Sequence, residues 1–98
     1  MNEYTVIILQ KARKEIDKIA GPDKSLKRSI YTEISILKHQ NTHHPPRVKL
    51  MKGRIRNHWR FVIMKSPQLR ALFVMDGNQV TVFKVCKRKD CYKGKGHF

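Results

Sequence analysis

Acidic residues are scarce in this 98-residue chain: seven Asp and Glu stand against 22 Lys and Arg, a formal charge of +15. An excess of that size repels itself across a compact domain, so an acidic partner is expected: nucleic acid, an anionic membrane or an acidic protein. Long apolar runs are also missing. None approaches the roughly 20 residues that cross a bilayer, which argues against a membrane span. The opening MNEYTVIILQ lacks the basic start and cleavage site of a secretory leader. An intracellular, cytoplasmic location is therefore expected. Cysteine is limited to Cys86 and Cys91, and in that compartment two reduced thiols are expected rather than a bridge. A zinc site drawn from them and His43, His44, His58 or His97 has no recognised ligand spacing. No metal and no cofactor is expected. Internal repeats and a second composition are absent, which leaves a single domain over 1–98 with one modest core.

The few acids are unevenly placed. Glu3, Glu15, Asp17, Asp23 and Glu33 lie in residues 1–33 beside seven cations, whereas only Asp76 and Asp90 offset the fifteen cations of residues 34–98. The electropositive part is also the part with strand character. From Trp59 to Tyr92 the chain reads as three runs rich in Val, Ile, Phe and Leu. They are broken at Ser66-Pro67-Gln68 and Asp76-Gly77-Asn78, both turn-forming triplets. If each turn is a three-residue loop, opposed residues keep the same parity across all three strands. An odd face then gathers Trp59, Phe61, Ile63, Leu69, Ala71, Phe73, Phe83 and Val85 as a core. An even face gathers Arg60, Val62, Met64, Arg70, Leu72, Val74, Val80, Val82, Lys84 and Arg88, a semi-apolar floor bearing cations. Guanidiniums grouped on one sheet face suit a phosphate, because the planar fork matches two of its oxygens at once.

Upstream, Tyr4 to Leu9 predicts a first strand, buried on both faces. Lys11 to Ala20 predicts a helix, with Ala12, Ile16, Ile19 and Ala20 at helical spacing; Gly21-Pro22 stops it. Asp23 or Ser25 can cap a second helix reaching about His39, with Leu26, Ile30, Ile34 and Leu37 as its apolar line. The order is β-α-α-β-β-β. It implies an α+β fold, an antiparallel sheet with a helical hairpin packed on one face. The first strand pairs at a free edge of the sheet or beside its last strand; both stay open. Asn41 to Pro46, with His43 and His44, reads as a solvated polar loop. Arg47 to Arg56 carries Arg47, Lys49, Lys52, Arg54 and Arg56 and no acid, and reads as the rim of an electrostatic funnel. Lys49, Lys52, Arg54, Arg56, Lys84 and Lys87 are the cations expected to meet a nucleic-acid partner, which the family resemblance given next makes RNA. Lys93 to Phe98 is expected to be a mobile tail.

This order and spacing resemble the RelE/ParE superfamily of type II toxin–antitoxin toxins, and its RelE-like branch in particular. The markers are Leu50-Met51-Lys52-Gly53, Leu69-Arg70 opening the middle strand of the meander, and Arg88-Lys89-Asp90-Cys91-Tyr92 ending the last. The resemblance implies a ribosome-dependent, metal-independent endoribonuclease. Such an enzyme cuts mRNA in the ribosomal A site by attack of the ribose 2′-hydroxyl on the adjacent phosphate. It also implies a cognate antitoxin, acidic or amphipathic, as partner. By the same resemblance Arg70 takes the phosphate-binding position, Arg88 lies beside the leaving group, and Arg60 stands where RelE has a lysine. Tyr92 falls near a tyrosine that stacks on a base. Val62 stands where RelE has a second lysine and cannot take a proton. His58 and His97 are the candidates for acid or base, and Lys49 or Lys52 could also supply one; a histidine ordinarily titrates near neutrality. Two other readings compete. One is a ParE-like gyrase inhibitor, a branch that generally lacks this arginine set. The other is a non-catalytic basic nucleic-acid-binding module, which phosphate contacts alone would explain.

Overall fold

The computed structural model describes residues 3–39, 47–50 and 58–91. Helix α1 (Gln10–Ala20) buries Ala12, Ile16 and Ala20, one stripe at helical spacing. Gly21 ends it with φ 56°, a left-handed turn that glycine adopts without a Cβ clash. The Asp23 side chain then accepts the Leu26 N–H at 2.9 Å and caps α2 (Lys24–Ser35). That helix buries Ile30 and Ile34, and a 3-10 turn over Ile36–Lys38 adds Leu37. Asp17 and Lys27 pair across the hairpin at 2.6 Å.

The chain adopts the expected α+β arrangement. Five strands run β1 (Thr5–Ile8), β2 (Val48–Leu50), β3 (His58–Met64), β4 (Leu69–Asp76) and β5 (Gln79–Lys87), in the spatial order β1-β5-β4-β3-β2. Strands β2 to β5 pair antiparallel, while β1 runs parallel to β5. The sheet is therefore mixed, because the helical hairpin carries the chain from one edge of the sheet to the other. As an edge strand, β1 is covered on one face only. Val6 and Ile8 pack against the core, but Thr5 is exposed and Ile7 is 37% exposed. This corrects the expected burial on both faces. The core lies between the helices and one sheet face: Ile16, Ile30, Ile34 and Leu37 meet Phe61, Ile63, Leu69, Ala71, Phe73, Val82 and Val85.

Two features depart from simple alternation. First, the β4–β5 turn has two residues, Gly77-Asn78, because Asp76 pairs with Gln79. That reverses the expected parity, so Met75 faces Val80 and Phe73 faces Val82. A register shift between Leu72 and Phe73 then restores it, with Leu72 opposite Lys84 and Ala71 opposite Val85. Val80 and Val82 consequently join the core, where an open floor was expected, and Phe83 leaves the core. The two-residue turn accounts for both corrections, and the bulge beyond Val82 returns Val85 to the core. Second, Arg47 is structural rather than part of an open rim. It donates from Nε to the Val62 carbonyl at 2.8 Å and from Nη2 to the Ile63 carbonyl at 2.9 Å. It also pairs with Glu33 and lies 4.7 Å over the Phe61 ring. The short β2 pairs only with Trp59 to Phe61, so Arg47 satisfies the β3 carbonyls beyond it.

Candidate nucleic-acid interface

The sheet face away from the helices carries the cations, and the register sets them in rows. One row runs Lys49, Arg60, Leu72, Lys84; the next runs Val62, Arg70, Cys86. Arg60 and Arg70 are thus diagonal neighbours on adjacent strands, about 7–8 Å apart and within mutual reach of one bound group. Both are half-buried. The Nε of each is buried and has no hydrogen-bond partner among the described residues. Neither forms an ion pair among those residues, and neither does Arg88. Lys49 is exposed beside Arg60.

Lys84 departs from the expected open floor. Its ammonium lies 3.8 Å from Glu15 of α1, and Glu15 also accepts the Val85 N–H at 2.8 Å. Strand β1 pairs with β5 only as far as Val82, so the edge beyond it is free to be capped by a helix side chain. Glu15 carried no signal of this in the sequence beyond being an acid among cations.

Strand β5 runs directly into α3 (Arg88–Cys91), one turn of helix. The Arg88 N–H donates to the Gln68 carbonyl at 2.9 Å, which ties this junction to the β3–β4 turn. Together Pro67, Gln68, Lys87, Arg88 and Lys89 line a cleft of about 510 Å³ with no acid in its wall among the described residues. A second cleft, of about 400 Å³ between α1 and β5, includes Glu15 and Asp90 and is less suited to an anion.

The turn of α3 brings Cys91 back to Cys86, with Cα atoms 5.4 Å apart and the sulfurs bonded. This corrects the expectation of two free thiols. A five-residue spacing does not show that the strand ends in a helical turn, which is what closes the gap to bridging range. Cys91 is fully buried and Cys86 nearly so, which shields the bridge from bulk thiols. The bridge spans Arg88. Replacing both cysteines with Ala should lower stability by about 2 kcal/mol, the loop-closure contribution of so short a ring. An unchanged urea midpoint in the double variant would refute this.

His58 opens β3 two residues from Arg60, on the same face, and its ring lies 4.9 Å from that of Phe83. Burial disfavours its imidazolium and lowers its pKa from the ordinary 6.5. The folded state then binds fewer protons than the unfolded chain between the lowered value and 6.5. Stability from this group is present above 6.5 and is lost as the pH falls through that window. Urea midpoints from pH 7 to 5 should fall more steeply for the native chain than for His58→Asn. Parallel curves would contradict the assignment.

Lys52, Arg54, Arg56, Tyr92, His97, the His43–His44 loop and the 93–98 tail lie outside the described residues. Among the described residues no group of three or more His, Cys, Asp or Glu could hold a metal ion. No helix among them is long and apolar enough to cross a membrane.

No protein-family model matches the chain, and no curated protein sequence does. Solved structures do match its fold. The YoeB dimer from Staphylococcus aureus is similar at a TM-score of 0.62 and 13% identity, over 87% of this chain and 95% of that one. A chain of the E. coli DinJ–YafQ toxin–antitoxin complex is similar at 0.67 and 10% identity, over 93% and 99%. A chain of the archaeal RelE–RelB complex from Pyrococcus horikoshii is similar at 0.63 and 16% identity, over 90% and 97%. The fold is therefore the RelE/ParE-like fold of toxins from toxin–antitoxin systems.

Proposed function

We propose that the chain is the toxin of a type II toxin–antitoxin module, a metal-independent endoribonuclease that cleaves mRNA in the ribosomal A site in the cytoplasm and so inhibits translation. The observation that carries the reading is the pair Arg60 and Arg70, two guanidiniums on adjacent strands whose buried Nε atoms lack any partner among the described residues. A desolvated donor without an acceptor is unfavourable in the free protein and is satisfied by an anion laid across it. In the reaction the ribose 2′-oxygen bonds to phosphorus as its proton passes to a base. The P–O5′ bond then breaks and the departing oxygen takes up a proton. The products are a 2′,3′-cyclic phosphate and a 5′-hydroxyl. Arg60 and Arg70 stabilise the charge on the phosphorane, and Arg88 lies toward the leaving oxygen. Among the described residues His58 is the candidate base: it shares the face with Arg60, and burial favours its neutral, proton-accepting form. Tyr92 is proposed to stack on a base, and His97 is the second acid/base candidate. Lys49, Lys87, Lys52, Arg54 and Arg56 would contact the RNA backbone.

The test is to add the protein to a translation extract and map new mRNA 5′ ends on programmed ribosomes. Cuts within the A-site codon that leave 5′-hydroxyls support the reading, and intact message at doses that arrest translation overturns it. The proposed partner in the resting cell is an antitoxin, as in the DinJ–YafQ and RelE–RelB complexes. An acidic or amphipathic segment of it would cover the arginine face. Its affinity should then fall as salt rises, because rim charges are screened. Affinity equal at low and high salt would refute charge neutralisation.

A further inference from the structure

We infer that Phe83, backed by the ring of His58, is a stacking site for one nucleobase of a single-stranded RNA whose adjoining phosphate rests on Arg60. The inference rests on the ribonuclease reading above and adds to it where a base is held.

Three observations carry it. Val82 lies in the core opposite Phe73, so alternation turns Phe83 to the other face, and the bulge at Leu72–Phe73 leaves Phe83 as the extra residue of β5 beside Lys84. A large aromatic thereby stands on the cationic side of the sheet, within reach of His58, and bulges are over-represented next to active sites. The ring is then fixed by His58 at 4.9 Å with an interplanar angle of 44°. Both residues are partly buried, neither sunk in the core nor fully in solvent. Finally, His58 precedes Arg60 by two residues on β3. The backbone positions of His58 and Arg60 are thus separated along the strand by about 7 Å, the scale of a nucleotide from its phosphate to its base. Aromatic rings accept any base, since every base presents a π face. The site therefore contributes affinity and position rather than sequence preference.

The test uses single-turnover cleavage on ribosomes programmed with mRNA that is either natural or abasic at one nucleotide, the abasic position being walked across the A-site codon. The native protein should cleave natural mRNA roughly 10- to 100-fold faster than the message abasic at the stacked position, the range of one base–aromatic contact. Phe83→Leu should lose that difference while keeping its thermal midpoint, and Phe83→Trp should keep it. If Phe83→Leu discriminates the abasic message as the native protein does, the inference is overturned and the ribonuclease reading stands. If the native protein cleaves no message at all, the ribonuclease reading falls first. A Phe83 that docks an apolar protein segment would show itself as antitoxin affinity lost in Phe83→Leu with abasic discrimination intact, which also overturns the inference.

Discussion

On the proposed ribonuclease reading, replacing Arg70 with Ala is expected to slow A-site mRNA cleavage by about 10²- to 10³-fold, the scale on which loss of one preorganised donor is felt. The same substitution should leave stability unchanged or slightly higher. Its neighbours Leu69 and Ala71 are fully buried and hold β4 to the core without it. The Arg70 Nε is buried and has no partner among the described residues, so removing it relieves a desolvated donor rather than breaking a contact. Function held at some expense of stability is what a preorganised anion site implies. Arg47 supplies the opposite case. Its guanidinium is committed to Glu33 and to the Val62 and Ile63 carbonyls, so Arg47→Ala should lower stability while cleavage per folded molecule is retained. Urea midpoints and single-turnover rates on both variants settle it. Arg70→Ala with native-like cleavage would remove the phosphate site from β4.

Much of the architecture could be read from residue order because local and tertiary signals agree there. The stripe Ala12–Ile16–Ala20, the stripe Ile30–Ile34–Leu37, the Asp23 cap and the Gly21 stop all report what the chain does. The β3–β4 half of the meander also follows the parity argument, with Trp59 opposite Phe73 and Phe61 opposite Ala71. Long-range and edge effects were harder to read. Strand β2 has three residues set among cations, too few for a periodic signal. The Glu15 contact with Lys84 and Val85 joins residues 70 positions apart. The disulfide depends on one turn of helix that four residues cannot announce. A trace of the bulge was present: apolar residues at 80, 82 and 85 break the period of two, and a slip of that kind marks an inserted residue. On the cationic face, position was legible for Arg60 and Arg70 but commitment was not. Alternation cannot tell a cation left open from one, like Lys84, that turns to an acid on a neighbouring helix.

The register of β4 and β5 makes their two phenylalanines energetically unlike, and this is the sharpest stability prediction. Phe73 is fully buried, pairs with Val82, and stacks on Trp59 with ring centroids 6.4 Å apart and an interplanar angle of 14°. Phe73→Ala should lower the unfolding free energy by about 3–5 kcal/mol, the transfer of a buried ring plus the cavity it leaves. For a domain of ordinary stability, roughly 5–15 kcal/mol, that is a large share of the total and brings the protein close to unfolding at ambient temperature. Phe83 follows the inward Val82, so it lies off the core, and it is only half-buried. Phe83→Ala should therefore stay below about 2 kcal/mol, because part of the ring's apolar area was never removed from water. Strict alternation from the expected three-residue turn would place both rings in the core and make the two substitutions equally damaging. Chemical denaturation of the two variants side by side decides between these arrangements: equal losses would mean that Phe83 lies in the core, and with it would go the aromatic side of the cationic face.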